Sequence, residues 1–173
     1  SWKKCNIRGQ GPRSSIIEWD PTTGGGTVIS KSATNSRNWW VGCRFITSAG
    51  NNYPDYWIDL SPNDVTDYSD WLDEIEFGPC NSAPIKLAQP TNVHFGKLRF
   101  DACDSCIELI DTLGTTFCRS IVIDKMTLDT NALNNVGVVS HRQLINLAMF
   151  GSSSMVIDIG GGRIEGSHAL AAN

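Results

Sequence analysis

Residues 85–109, IKLAQPTNVHFGKLRFDACDSCIEL, decide the fold. Three apolar–x–apolar triplets stand in this stretch: Ile85/Leu87, Leu98/Phe100 and Ile107/Leu109. Alternation with period two makes each a short strand with one face turned inward. Working outward, the middle triplet belongs to a first series: Cys5/Ile7, Cys43/Phe45, Ile75/Phe77, Leu98/Phe100, Met126/Leu128 and Ala148/Phe150. The other two belong to a second series: Ile17/Trp19, Ile58/Leu60, Ile85/Leu87, Ile107/Leu109, Val136/Val138 and Ile157/Ile159. From Ile58 onward the second series recurs every 21 to 29 residues, which marks units that bury an apolar face only by stacking on their neighbours. The reading predicts an all-β chain, a right-handed parallel β-helix of about six rungs.

The outward residues between the apolar pairs support this register. The first series gives Asn6, Arg44, Glu76, Arg99, Thr127 and Met149; the second gives Glu18, Asp59, Lys86, Glu108, Gly137 and Asp158. Arg44–Glu76–Arg99 and Asp59–Lys86–Glu108 alternate in sign, and slippage by one residue would drive these charges into the core. NVHFGKLRF, SIVIDKMTL and LINLAMF each read as an approach strand running into the first triplet.

The chain has 173 residues, 40% hydrophobic and 18% charged, which suits one ordered domain over 1–173. Polar excursions at about 48–57, 61–71 and 131–135 interrupt the period, and such loops are where binding residues usually sit. The net charge of −4, without clustered Lys and Arg, argues against nucleic acid. No apolar run reaches the roughly 20 residues that span a bilayer. The Ser-Trp-Lys-Lys opening, with the pattern interrupted at both ends, leads us to expect a piece of a longer chain.

Six cysteines are present. Cys5 and Cys43 fall on inward positions as small hydrophobes, and Cys103/Cys106 form a lone CxxC without further zinc ligands. A structural role for them is the expectation, with no metal and no cofactor. Gly24–Gly26 and Gly160–Gly162 lack the Lys-Ser/Thr of a phosphate-cradling loop and read as corners. His94 is expected to point outward between Val93 and Phe95, while His141 and His168 lie in polar stretches.

Two sets of side chains carry candidate chemistry. Trp39, Trp40, Tyr53, Tyr56, Trp57, Tyr68 and Trp71 crowd the region of the first two excursions, with Trp57 expected outward. Sugar stacking by Trp40, Tyr53, Tyr56, Trp57, Tyr68 and Trp71 is one reading; packing under loops or between chains is the other. Glycoside hydrolysis needs two carboxyl groups, and Glu108 and Asp158 read as alternate-rung partners across Gly137. Strand spacing would set them roughly 9 to 10 Å apart, at the inverting end, with Glu108 activating water and Asp158 protonating the leaving oxygen. Solvated surface carboxylates are the competing reading.

CNIRGQGPRSSIIEWD, residues 5–20, resembles the first coil of pectate-lyase-like right-handed β-helices. In that family an apolar–x–Gly–x–Gly–Pro corner leads into a Ser/Thr-containing strand. This opening is associated with bacteriophage tailspikes and tail fibres. The resemblance implies a virion tail protein, extracellular when acting, that attaches to bacterial surface polysaccharide. Homotrimers and contacts with other tail proteins are implied as well, with depolymerase activity an open question. A free bacterial polysaccharide-degrading enzyme and a purely structural tail component are the alternative expectations.

Overall fold

Alternation of apolar residues fixes which side of a strand faces inward; pairing fixes which strands lie side by side. The computed structural model describes residues 6–20, 22–30, 39–48, 52–60, 71–88, 92–101, 103, 105–110, 119–129, 143–148 and 155–165. They form β1 (Asn6–Arg8), β2 (Ile16–Trp19), β3 (Thr27–Ser30), β4 (Trp39–Val41), β5 (Arg44–Thr47), β6 (Tyr56–Asp59), β7 (Trp71–Asp73) and β8 (Ile75–Phe77). There follow β9 (Ile85–Ala88), β10 (Asn92–Phe100), β11 (Ser105–Ile110), β12 (Arg119–Asp129), β13 (Gln143–Ala148), β14 (Met155–Ile159) and β15 (Gly162–Glu165). The described residues are all-β, without a helix, in a ten-stranded sheet and a five-stranded sheet. Every pairing is parallel.

Three rows of mostly apolar residues align in register across these strands. In the larger sheet Ile7, Trp40, Leu72, Phe95, Ile123 and Ile159 align in register. Ile17, Phe45, Phe77, Phe100, Leu128 and Ile164 align in a second row of the same sheet. The smaller sheet aligns Ile29, Ile58, Ile85, Ile107 and Ile145. Aromatic and β-branched residues suit such half-buried pleated surfaces. Phe45 stacks on Phe77 at 5.3 Å between ring centres, and Phe77 on Phe100 at 5.4 Å, both nearly parallel. Trp57, tilted against Phe45 at 5.6 Å, ties the two sheets together through the core.

From β1 to β13, each copy therefore contributes two segments to the larger sheet and one to the smaller. Early copies break between the two segments, giving β1/β2, β4/β5 and β7/β8. β10 and β12 run through without a break, and each carries both segments. The first break explains the Gly-Gln-Gly-Pro motif. A Cβ on Gly9 would collide with the Gly42 carbonyl and lie 2.7 Å from Ser15 Cβ, while Gly11 takes φ +120°. Gly9 N–H donates to Val41 O at 2.7 Å and Gly11 N–H to Gly42 O at 3.0 Å, stitching this corner to the next one. One glycine is needed for closeness, the other for its backbone angle.

Several sequence expectations change. Phe45, Phe77, Phe100 and Leu128 share a ladder as expected, but Ile7 aligns with Trp40, and Ile17 joins Phe45 in the larger sheet. Ala148 aligns with Ile110 in the smaller sheet, so β13 from LINLAMF is no approach strand. Ile157 aligns with Ile121 in the larger sheet, not with Ile107. The excursion at 48–57 ends earlier, since Tyr56 and Trp57 open β6, and Trp71 opens β7. Val136/Val138 and the excursion at 131–135 lie outside the described residues.

The charge ladders hold. Arg44, Glu76, Arg99 and Thr127 align, as do Asp59, Lys86 and Glu108. Arg44 Nε lies 3.5 Å from Glu76 Oε2, and Arg44 Nη2 lies 3.5 Å from Asp101 Oδ2.

Candidate functional site

The outer face of the larger sheet presents Asn6, Trp39, Trp71, His94, Val122 and Asp158 in register on successive strands. Asn6, Trp39, Trp71, His94 and Val122 each precede an inward residue of the first row, so parity turns them outward, and Asp158 is itself exposed. Trp39 is 60% exposed, a large value for so apolar a ring on a sheet. The Trp39 backbone N–H donates to Asn6 Oδ1 at 3.2 Å, holding the Asn6 side chain at the rim. Trp71 meets His94 edge-on with 4.2 Å between ring centres. His94 Nε2 lies 2.8 Å from Asp124 Oδ1, which fixes the imidazole over the sheet. Asn6, Arg8, Trp39, Val41 and Trp71 line a groove of about 680 Å³. The result is an aromatic shelf with amide and guanidinium groups at its edge. Such surfaces suit a ring with an apolar face and polar rim.

The smaller sheet carries a second polar cluster. Glu108 Oε2 accepts hydrogen bonds from Tyr56 Oη at 3.0 Å and from Ser82 Oγ at 3.1 Å. Lys86 Nζ sits 4.8 Å from the centre of the Tyr56 ring, within cation–π range. Burial raises the Tyr56 phenol above its ordinary pKa, and the neighbouring Glu108 carboxylate pushes the same way.

Glu108 and Asp158 are not brought together. Glu108 aligns with Asn146 in the smaller sheet, whereas Asp158 aligns with Val122 in the larger one. Glu18 likewise aligns with Ile46 rather than standing beside Asp59. Of the aromatics, Trp40 is a core residue at 1% exposure. Trp57 is fully buried, not outward, and its indole N–H donates to Gly78 O at 2.9 Å. The amides of Trp57 and Ile58 both donate to Pro84 O, so the strand is bulged where simple alternation would have reversed. Tyr53 is half-buried, and its carbonyl accepts from Gly25 N and Asn81 Nδ2. Tyr56 belongs to the Glu108 cluster, Trp71 to the shelf, and Tyr68 lies outside the described residues.

His94 points outward between buried Val93 and Phe95, as its parity predicts. Its contact with Asp124 was missed because it crosses between strands of different copies, although Asp124 also follows an inward residue. Cys43, Cys80, Cys103 and Cys106 are buried without disulfide bonds, and burial pushes the Cys43 thiol up to about 11. Among the described residues no three His, Cys, Asp or Glu side chains are grouped to hold a metal ion. No family model, curated protein or solved structure matches the chain.

Proposed function

We propose that this chain is a right-handed parallel β-helix from a phage tailspike or tail fibre, and that its aromatic shelf binds bacterial surface polysaccharide. The observation that carries the sugar reading is Trp39, 60% exposed and aligned with Trp71 and His94 on paired strands. A stacking platform fixed by parallel pairing costs little conformational freedom on binding. Asn6 and Arg8 at the groove supply directional contacts to hydroxyls. The stacked Phe45–Phe77–Phe100 rows support the coil geometry, and the Gly-Gln-Gly-Pro opening supports the tail-protein context. The proposal is binding; Glu108 and Asp158 lie on strands of different sheets, and the reading does not draw on them as a pair.

The test is calorimetric titration of the purified protein with polysaccharide fragments from candidate hosts. Wild type should bind, and Trp39→Ala or Trp71→Ala should weaken binding about tenfold or more, equivalent to about 1.4 kcal/mol. Unchanged affinity in both variants refutes the shelf as the sugar site. A trimer in wild type that falls to monomer in Trp39→Ala, without sugar binding in either, assigns the shelf to subunit contact and favours the structural tail component.

A further inference from the structure

We propose that the corner groove between β8, β10 and β12 is a separate site for an oxyanion, either a sugar carboxylate or a phosphate ester. Lys97 and Lys125 align directly across β10 and β12, where adjacent strands lie roughly 4.8 Å apart. Like charges so placed repel. The other aligned charged pairs with described side chains are opposite in sign: Arg44/Glu76, Glu76/Arg99, Asp59/Lys86 and Lys86/Glu108. Among the described side chains, complementary charges thus stand side by side on the outer faces, and Lys97/Lys125 departs from that pattern.

That groove has the shape and donors for a ligand. It is an open depression of about 370 Å³ whose lining includes Glu74, Glu76, Lys97, Arg99, Lys125 and Thr127. The two carboxylates are already engaged, Glu76 with Arg44 and Glu74 with Lys97, each at 3.5 Å. Lys125 makes no ion pair among the described residues. The next position beyond Lys125 holds Gly161, which has no side chain and whose carbonyl accepts from Met126 N–H at 3.0 Å. Thr127 aligns with Arg99, placing a neutral hydroxyl donor beside the cations. The backbone under Lys97 is held firmly, since its N–H donates to Asp73 Oδ1 at 2.8 Å. An oxyanion seated between the two ammonium groups would turn their repulsion into shared attraction. The site faces a different part of the sheet from the Trp39 shelf and stands whether or not that shelf binds sugar.

The experiment titrates the whole protein at low ionic strength with inorganic phosphate, glucuronate and a short polyuronate, using wild type, Lys125→Gln, Lys97→Gln and Trp39→Ala. Saturable binding of at least one anion is expected. It should weaken about tenfold in each lysine variant and persist in Trp39→Ala. Binding of glucuronate or polyuronate but not phosphate assigns a sugar carboxylate; the reverse assigns a phosphate ester. Ligand-free Lys125→Gln should melt no lower than wild type, because it relieves a repulsion. The absence of saturable binding by wild type, or equal affinity in the lysine variants, overturns the proposal.

Discussion

Gly96→Ala tests how the corners are locked. Gly96 lies in the middle of β10, in an ordinary extended conformation, so backbone freedom does not explain it. A methyl group there would run into the Asp73 carboxylate and lie 2.9 Å from Asp73 Cβ. That carboxylate accepts from Glu74 N–H at 2.9 Å within its own corner and from Lys97 N–H at 2.8 Å on the next strand. Rotating Asp73 away relieves the worst of the collision and forfeits both bonds, yet its Cβ stays too close. Hydrogen bonds to a charged acceptor contribute about 1.5–3 kcal/mol each when buried, and nearer 1 kcal/mol here, where water can rehydrate the exposed N–H groups. Two such losses and residual crowding, less about 0.5–1 kcal/mol for reduced freedom of the unfolded chain, give a net destabilisation of about 2 kcal/mol. Urea denaturation should show a lower midpoint with an unchanged slope. Asp73→Ala loses the same two bonds, so the double variant should cost about 1–2 kcal/mol less than the sum of the singles. Additivity within about 0.5 kcal/mol, or a neutral Gly96→Ala, would refute the reasoning.

Phe77→Ala, which empties the centre of the Phe45–Phe77–Phe100 stack, should destabilise by about 3–5 kcal/mol in the same assay. Glu74 holds φ 52° at the corner where Gly42 takes φ 69° in the preceding copy; Glu74→Gly should raise stability by about 1 kcal/mol, measured as a higher urea midpoint. The Cys43 thiol is raised in the fold from 9.0 to about 11, so its contribution is fully present below pH 9 and is lost as pH rises through 11. That slope corresponds to about 2–3 kcal/mol, and urea midpoints for Cys43→Ala should fall less steeply than wild type across this window.

The parts of the fold legible in sequence are those that parity alone determines. Phe45, Phe77, Phe100 and Leu128 share one spacing to a charged or polar outward neighbour, and the same spacing placed Ile58, Ile85 and Ile107 together. His94 was read correctly because Val93 and Phe95 flank it as a strict alternation. Parity does not say which copy a strand pairs with. SIVIDKMTL and LINLAMF both run into an apolar–x–apolar triplet, yet β12 joins the larger sheet and β13 the smaller. The connections differ in length from copy to copy, so counting triplets in chain order assigned Ile17 and Ile157 to the wrong ladder.

The candidate site followed from that same limit. Glu108 and Asp158 were joined by an assumed ladder, and a single misplaced strand put them on different sheets. Trp57 was misplaced for a local reason: two successive amides share the Pro84 carbonyl, which breaks period-two alternation without leaving a mark in composition. Trp39 and Trp40 show what register adds. Side by side in sequence and identical in chemistry, they take opposite fates, one 60% exposed and one 1% exposed. Only alignment of Trp40 with Ile7 and Leu72 decides which ring enters the core. Once that row is set, Trp39, Trp71 and His94 must share the outer face, and the aromatic shelf follows from the pairing rather than from any motif. The Lys97/Lys125 groove arises in the same way, from two lysines that are unremarkable in sequence and become neighbours only when β10 and β12 align.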